Sequence, residues 1–200
     1  MLRIPILVIL RHLEQCHLAP LTQVLRRAAI DTVEITLNTA NAPQLIAELR
    51  ALAGSELTVG AGTVLTTAQL QSALDAGAEF IVTPVVNTAV IRACTHQSLP
   101  VLPGALTPTE VWQAWELGAT LVKVFPAATV GPDYFRALRG PFTDIKLMAV
   151  GGINAGNLRD YFIAGANAIA VGSSIVSRAR LASEAYETIE NDLHQLVSQL

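Results

Sequence analysis

One lysine stands inside an apolar run. Residues 121–126 read Leu-Val-Lys-Val-Phe-Pro, and Lys123 is one of only two lysines among 200 residues. If this run is a strand, Leu121, Lys123 and Phe125 share a face. Burying an ammonium on such a face is unfavourable, and losing the proton relieves the strain. A free lysine, with a pKa of about 10.4, is less than about 0.1% neutral at pH 7, and only the neutral amine attacks a carbonyl. The setting of Lys123 therefore suits Schiff-base chemistry. The competing reading is a snorkelling or ion-paired structural lysine.

A second run, Val33-Glu34-Ile35-Thr36-Leu37-Asn38, puts Glu34, Thr36 and Asn38 at one parity, a polar face opposite an apolar one. A carboxylate beside a buried amine can shuttle the protons that carbinolamine dehydration, C–C cleavage and enamine protonation require. The alternative is a structural Glu34–Lys123 ion pair, although such buried pairs add little stability. Val150-Gly151-Gly152 and Gly172-Ser173 place glycine turns after two apolar runs. Turns of this kind expose backbone N–H groups to a phosphate, or simply pack tightly. Thr63 follows Gly60-Ala61-Gly62, where backbone can approach a ligand. Arg11 ends the first apolar run and could meet a carboxylate, its plain alternative being a solvated loop arginine.

The elements that must position these groups alternate along the chain. Short apolar segments at 6–10, 32–37, 58–61, 80–82, 101–103, 121–125, 146–150 and 168–171 predict strands. Helical patterns lie between them, including 18–29, 43–53, 67–76, 88–97, 108–117 and 155–164. Gly77, Gly118 and Gly165 stand where helix C-caps need glycine. Eight such units, with no linker or low-complexity break, predict a single α/β domain over 1–200, a small (β/α)8 TIM barrel. A doubly wound sheet is the weaker alternative, because no GxGxxG follows the first strand. Barrel chemistry sits at the C-terminal ends of the strands, where Arg11, Thr63, Gly151 and Ser173 fall, while Lys123 lies inside the sixth apolar run.

Composition narrows the function further. The chain is 52% hydrophobic and 14% charged, with a mean hydropathy of +0.45. The apolar stretch at 4–10 ends at Arg11-His12, far short of the ~20 residues of a membrane span. It also lacks a small-x-small cleavage site, so it reads as a buried strand of a cytoplasmic protein. The net charge of −3 and the lack of a basic cluster argue against nucleic acid as a partner. Cys16 and Cys94 lack metal spacing, and His12, His17, His96 and His194 form no i, i+4 pair, so no catalytic metal is expected.

The segments VEITLNT, VGAGTVLT, FIVTP, LPGALTPTE, VKVFPA, GPDYFRALRGPF and AVGGI together resemble the bacterial 2-keto-3-deoxy-6-phosphogluconate aldolase family, including its 6-phosphogalactonate branch. The resemblance runs from the first strand to the eighth. It implies a metal-free class I aldolase without cofactor, a homotrimer, that acts on a small phosphorylated sugar acid and yields pyruvate and glyceraldehyde 3-phosphate. It makes Lys123 the Schiff-base former and Glu34 the general acid/base. By the same resemblance, Thr63 and Pro84 hold the pyruvyl end, while Gly151, Gly152 and Ser173, with Gly172, hold phosphate. One departure stands out: Leu37-Asn38-Thr39 replaces the LRT of the gluconate type and removes its carboxylate-binding arginine. Arg11 and Val150 are similar to the galactonate type, which implies that Arg11 substitutes and that the galacto epimer is preferred. Either epimer or 4-hydroxy-2-oxoglutarate remains as substrate. An isomerase, a synthase or a sugar-phosphate binding protein on the same fold is the rival reading.

Overall fold

The computed structural model describes residues 3–200, so Met1 and Leu2 of the expected 1–200 domain lie outside the described residues. Eight strands close into a barrel in sequence order: β1 (Ile6–Leu10), β2 (Thr32–Thr36), β3 (Thr58–Gly62), β4 (Ile81–Thr83), β5 (Val101–Ala105), β6 (Val122–Val124), β7 (Leu147–Val150) and β8 (Ala168–Val171). Every neighbouring pair is parallel, and β1 pairs β8 with Ile6 opposite Ile169 and Val8 opposite Val171. This is the (β/α)8 barrel that the alternating pattern predicts.

Helices α1 (Leu18–Arg27), α2 (Ala42–Ala53), α3 (Thr67–Asp75), α4 (Thr88–His96), α5 (Pro108–Glu116), α6 (Ala127–Arg139), α7 (Leu158–Ile163), α8 (Arg178–Ala182) and α9 (Tyr186–Val197) surround it, and a 3-10 turn, Gln15–His17, precedes α1. Side-chain caps start several of them. Thr66 accepts from the Gln69 N–H and Asn87 from the Val90 N–H, while Thr107 and Glu110 form a reciprocal capping box. The three glycines expected at C-caps all have positive φ, and the following residue reaches back in each case: Ala78 to the Ala73 carbonyl, Ala119 to Ala114, Ala166 to Tyr161. That six-to-one bond is the Schellman closure, which turns each helix into the next strand.

Strand parity sorts the core into two regions. Val33, Ile35, Val59, Ala61, Val122, Val124, Leu147 and Ala149 face outward into the cluster shared with the helices. Leu7, Phe80, Val82, Leu102, Leu121, Met148, Val150, Ala168 and Ala170 fill the interior. Gly60 makes room for this filling, since a Cβ there would collide with the Phe80 ring. The remaining inward positions near the strand C-termini hold Glu34, Gly62, Gly104 and Lys123. Around β1 and β8 the outer layer is clasped by α9. Arg27 on α1 donates two bonds to Glu190, at 2.8 and 2.7 Å, and His17 Nδ1 lies 2.8 Å from the Tyr186 hydroxyl.

Candidate active site

A cavity of about 610 Å³ opens at the C-terminal ends of the strands. Lys123 reaches its wall from the middle of β6, inward as its parity requires, and only 8% of it is exposed. Its Nζ lies 5.3 Å from the centroid of the Phe125 ring. Burial pushes the amine below the ordinary lysine range, the nearby Arg11 cation adds to that effect, and Glu34 opposes it.

Glu34 comes inward from β2 and is 1% exposed; it is not among the residues that line the cavity. Its Oε2 has no hydrogen-bond partner, the one such buried side-chain atom among the described residues. Burial raises the Glu34 carboxyl above the usual carboxylate range, while Lys123 and Arg11 pull it down. Neither Lys123 nor Glu34 joins any salt bridge among the described residues. The structural ion pair weighed from sequence is thus not formed. Both groups are biased toward their neutral forms, as an amine nucleophile and a proton carrier require.

The space around them is kept open by glycine. At Gly62, directly across from Thr36 in the β2–β3 register, a Cβ would come within 2.5 Å of Glu34 Oε1. Gly104, the β5 neighbour of Lys123, cannot carry a Cβ without striking the Pro84 carbonyl. Thr63 and Pro84 line the cavity on this side, and Thr63 has a left-handed φ of 58°. Non-glycine residues in that region are strained by about 1–3 kcal/mol and gather at functional sites.

Opposite stands the glycine-rich wall. Val150, Gly151 and Gly152 follow β7, and Gly172 and Ser173 follow β8, all lining the same cavity. Gly151 and Gly152 have φ of 96° and 77°, a conformation that glycine adopts freely. A Cβ at Gly152 would also collide with Ala128. Arg11 closes the ring from the end of β1, exposed and free of any ion pair among the described residues.

One sequence reading needs correction. Strand β2 ends at Thr36, and Asn38 lies exposed in the following turn, outside the cavity lining. The parity that joins Glu34 to Asn38 holds only while the strand lasts. Conversely, the cavity includes His12, Ser174 and Arg178, which parity could not single out because they sit in loops or at a helix start. His12 directly follows Arg11, with φ of 56°, and its N–H donates to Thr39 Oγ1 at 3.2 Å. Cys16 does have potential ligand neighbours: its sulfur and the ligand atoms of Glu14 and His17 lie within 4.8 Å of one another, away from the cavity lining.

Comparison with known proteins gives a consistent set of relatives. A family model described as "Aldolase: KDPG and KHG aldolase" matches residues 1–191. A probable 2-dehydro-3-deoxy-6-phosphogalactonate aldolase of Rhizobium meliloti (strain 1021) is 35% identical over 172 residues, covering 86% of this chain and 81% of that protein. A 2-dehydro-3-deoxy-phosphogluconate aldolase of Treponema pallidum (strain Nichols) is 38% identical over 156 residues, 78% of this chain and 73% of that protein. A solved structure titled "Native KDPGal structure" superposes with a TM-score of 0.93 at 30% identity, covering 100% of this chain and 95% of that one.

Proposed function

The chain belongs to the KDPG and KHG aldolase family, and on that premise we propose that it cleaves a 2-keto-3-deoxy-6-phospho sugar acid to pyruvate and glyceraldehyde 3-phosphate through a Schiff base on Lys123. The carrying observation is the pair at the barrel's upper interior: a buried amine held toward neutrality, and a buried carboxyl with an unpartnered oxygen. The neutral Nζ adds to the C2 ketone, and the carbinolamine expels water to give an iminium. Electrons of the C3–C4 bond flow into that iminium as the C4 hydroxyl loses its proton, which releases the aldehyde and leaves an enamine. Protonation at C3 and hydrolysis then free pyruvate and regenerate the amine. Glu34 is the proton carrier for these steps. No step calls on a metal, so activity in excess EDTA should be undiminished.

Arg11 is assigned to the substrate carboxylate, and its place on the cavity wall together with that of Val150 supports a preference for the galacto epimer. Relative kcat/KM on the two phosphorylated epimers decides this, and a clear gluconate preference would overturn it. The family description also names KHG, and 4-hydroxy-2-oxoglutarate presents the same 2-keto acid end, which makes it the second substrate to assay. A homotrimer, to be checked by sedimentation, and a cytoplasmic location belong to the same reading. Among the described residues, no helix is long and apolar enough to cross a membrane. The central test is borohydride reduction in the presence of pyruvate, followed by intact-mass and peptide mapping. A pyruvate-sized adduct on Lys123 is expected, and its absence in folded protein sinks the proposal.

A further inference from the structure

A second set of ligand-bearing side chains lies outside the cavity, in the turn that leads into α1. Glu14 precedes the 3-10 turn Gln15–His17 without capping it, and its carboxylate joins no salt bridge among the described residues. Cys16 is an exposed free thiol. His17 is 8% exposed, and its Nδ1 lies 2.8 Å from the hydroxyl of Tyr186, the first residue of α9. That bond leaves Nε2 free. Among the described residues, Glu34 Oε2 is the one buried side-chain N or O atom without a partner, so His17 Nε2 is in contact with solvent. A carboxylate oxygen of Glu14, the Cys16 sulfur and a ring nitrogen of His17 all fall within 4.8 Å of one another. None of the three residues lines the cavity.

We propose that Glu14, Cys16 and His17 bind a zinc-type divalent cation, which rivets the turn before α1 to α9 through Tyr186. The donor set selects the ion. A thiolate with an imidazole suits zinc, whereas magnesium and calcium take oxygen ligands and would find a single carboxylate here. In a tetrahedral zinc site, with bonds of about 2.0–2.3 Å, ligand atoms stand roughly 3.4–3.6 Å apart. Closing to that spacing asks for rotation of two exposed side chains, Glu14 and Cys16, around a histidine that burial holds in place. Water fills the fourth position, and Cys16 gives up its thiol proton to solvent as the sulfur–metal bond forms. Metal-ligating histidines commonly donate their other ring N–H to an acceptor that fixes tautomer and ring plane. With Nε2 on the metal, the Nδ1–H donates to the Tyr186 oxygen, and the turn, the ion and α9 become one clamp. The ion is structural: it lies outside the cavity and takes no part in substrate cleavage.

The test uses the full chain, first stripped with EDTA. Calorimetric titration with Zn²⁺ should show one equivalent bound, and titration with Mg²⁺ none. Co²⁺, as a spectroscopic stand-in, should give the visible bands of a tetrahedral ion and a near-ultraviolet thiolate charge-transfer band. The melting temperature should rise in excess Zn²⁺ and return to its starting value on chelation. Cys16→Ser, at an exposed position, should abolish the charge-transfer band and weaken Zn²⁺ binding, while the metal-free melting temperature stays at wild type. Tyr186→Phe keeps all three ligands, and its Kd for Zn²⁺ should rise by about 10- to 100-fold. Absence of stoichiometric Zn²⁺ binding overturns the site, as does a charge-transfer band that survives Cys16→Ser. A Zn²⁺ Kd unchanged by Tyr186→Phe overturns the clamp. Should Tyr186→Phe fail to fold, hydrogen-exchange protection of the α9 amides decides instead: Zn²⁺ should raise it in the wild type, and no change overturns the clamp.

Discussion

Gly62 faces the Glu34 carboxylate so closely that a methyl group at residue 62 would lie 2.5 Å from Oε1 and 3.2 Å from Thr36 Cγ2. The absent side chain on β3 is therefore part of how the acid on β2 is held. Gly62→Ala has to displace the carboxylate inside a packed barrel. Since a shift of about 1 Å in a catalytic group can reduce rate on the order of 100-fold, kcat should fall by about that much while the far-UV spectrum and KM stay near wild type. An alanine variant with wild-type kcat would show that Glu34 has slack.

Glu34→Gln keeps the shape and removes the titration. Activity should drop by about 10²- to 10⁴-fold, the usual range for a lost proton carrier. Stability should move the other way. Burial holds the folded-state pKa above the unfolded value of about 4.3, so this group's contribution is complete below that pH and is lost as pH rises through the folded pKa. Glutamine carries no such loss. Melting temperatures of variant and wild type should converge near pH 4, and the variant should be the more stable toward neutrality.

Lys123→Met should abolish the borohydride-trapped adduct and lower kcat/KM on the order of 10⁴-fold or more. The folded-state pKa of Lys123 lies below its unfolded value of about 10.4, so its contribution is complete above that pH and lost as pH falls through the folded pKa. The methionine variant should therefore match or exceed the wild-type melting temperature at pH 7. A lower melting point across the whole pH range would reveal a structural role instead.

Arg11→Gln removes a cation that helps hold the amine down. The pH dependence of pyruvate trapping should shift to the alkaline side, and KM for the keto acid should rise. Salt should blunt the difference, because Arg11 is exposed. A role confined to loop packing would leave the pH profile in place.

The strand parities were legible because the barrel imposes them twice. Outward residues must be apolar against helices, so Val122 and Val124 leave Lys123 inward, and Val33 and Ile35 do the same for Glu34. The same periodicity misleads at strand ends, as at Asn38, where nothing local marks the stop after Thr36. It also shifts β4 by one residue, because Phe80 is inward and fully buried although it precedes Ile81–Thr83. Helix α6 escapes a simple 3.6-residue reading because Gly131, with φ of 73° and ψ of 174°, and Pro132 break its backbone midway. His12 and Arg178 take their places from loop conformation and long-range packing, which leave no local pattern.

The seam between β1 and β8 runs straight through the cavity: Arg11 stands on one bank and Gly172 and Ser173 on the other, where Gly172 abuts Ile9. The two banks lie about as far apart along the chain as a barrel of this size allows, and such contacts form late and slowly in folding. During synthesis, Lys123 and Glu34 emerge long before the last wall. A chain stopped before residue 168 lacks β8, so the ring of strands cannot close and the bank that carries Gly172 and Ser173 is missing.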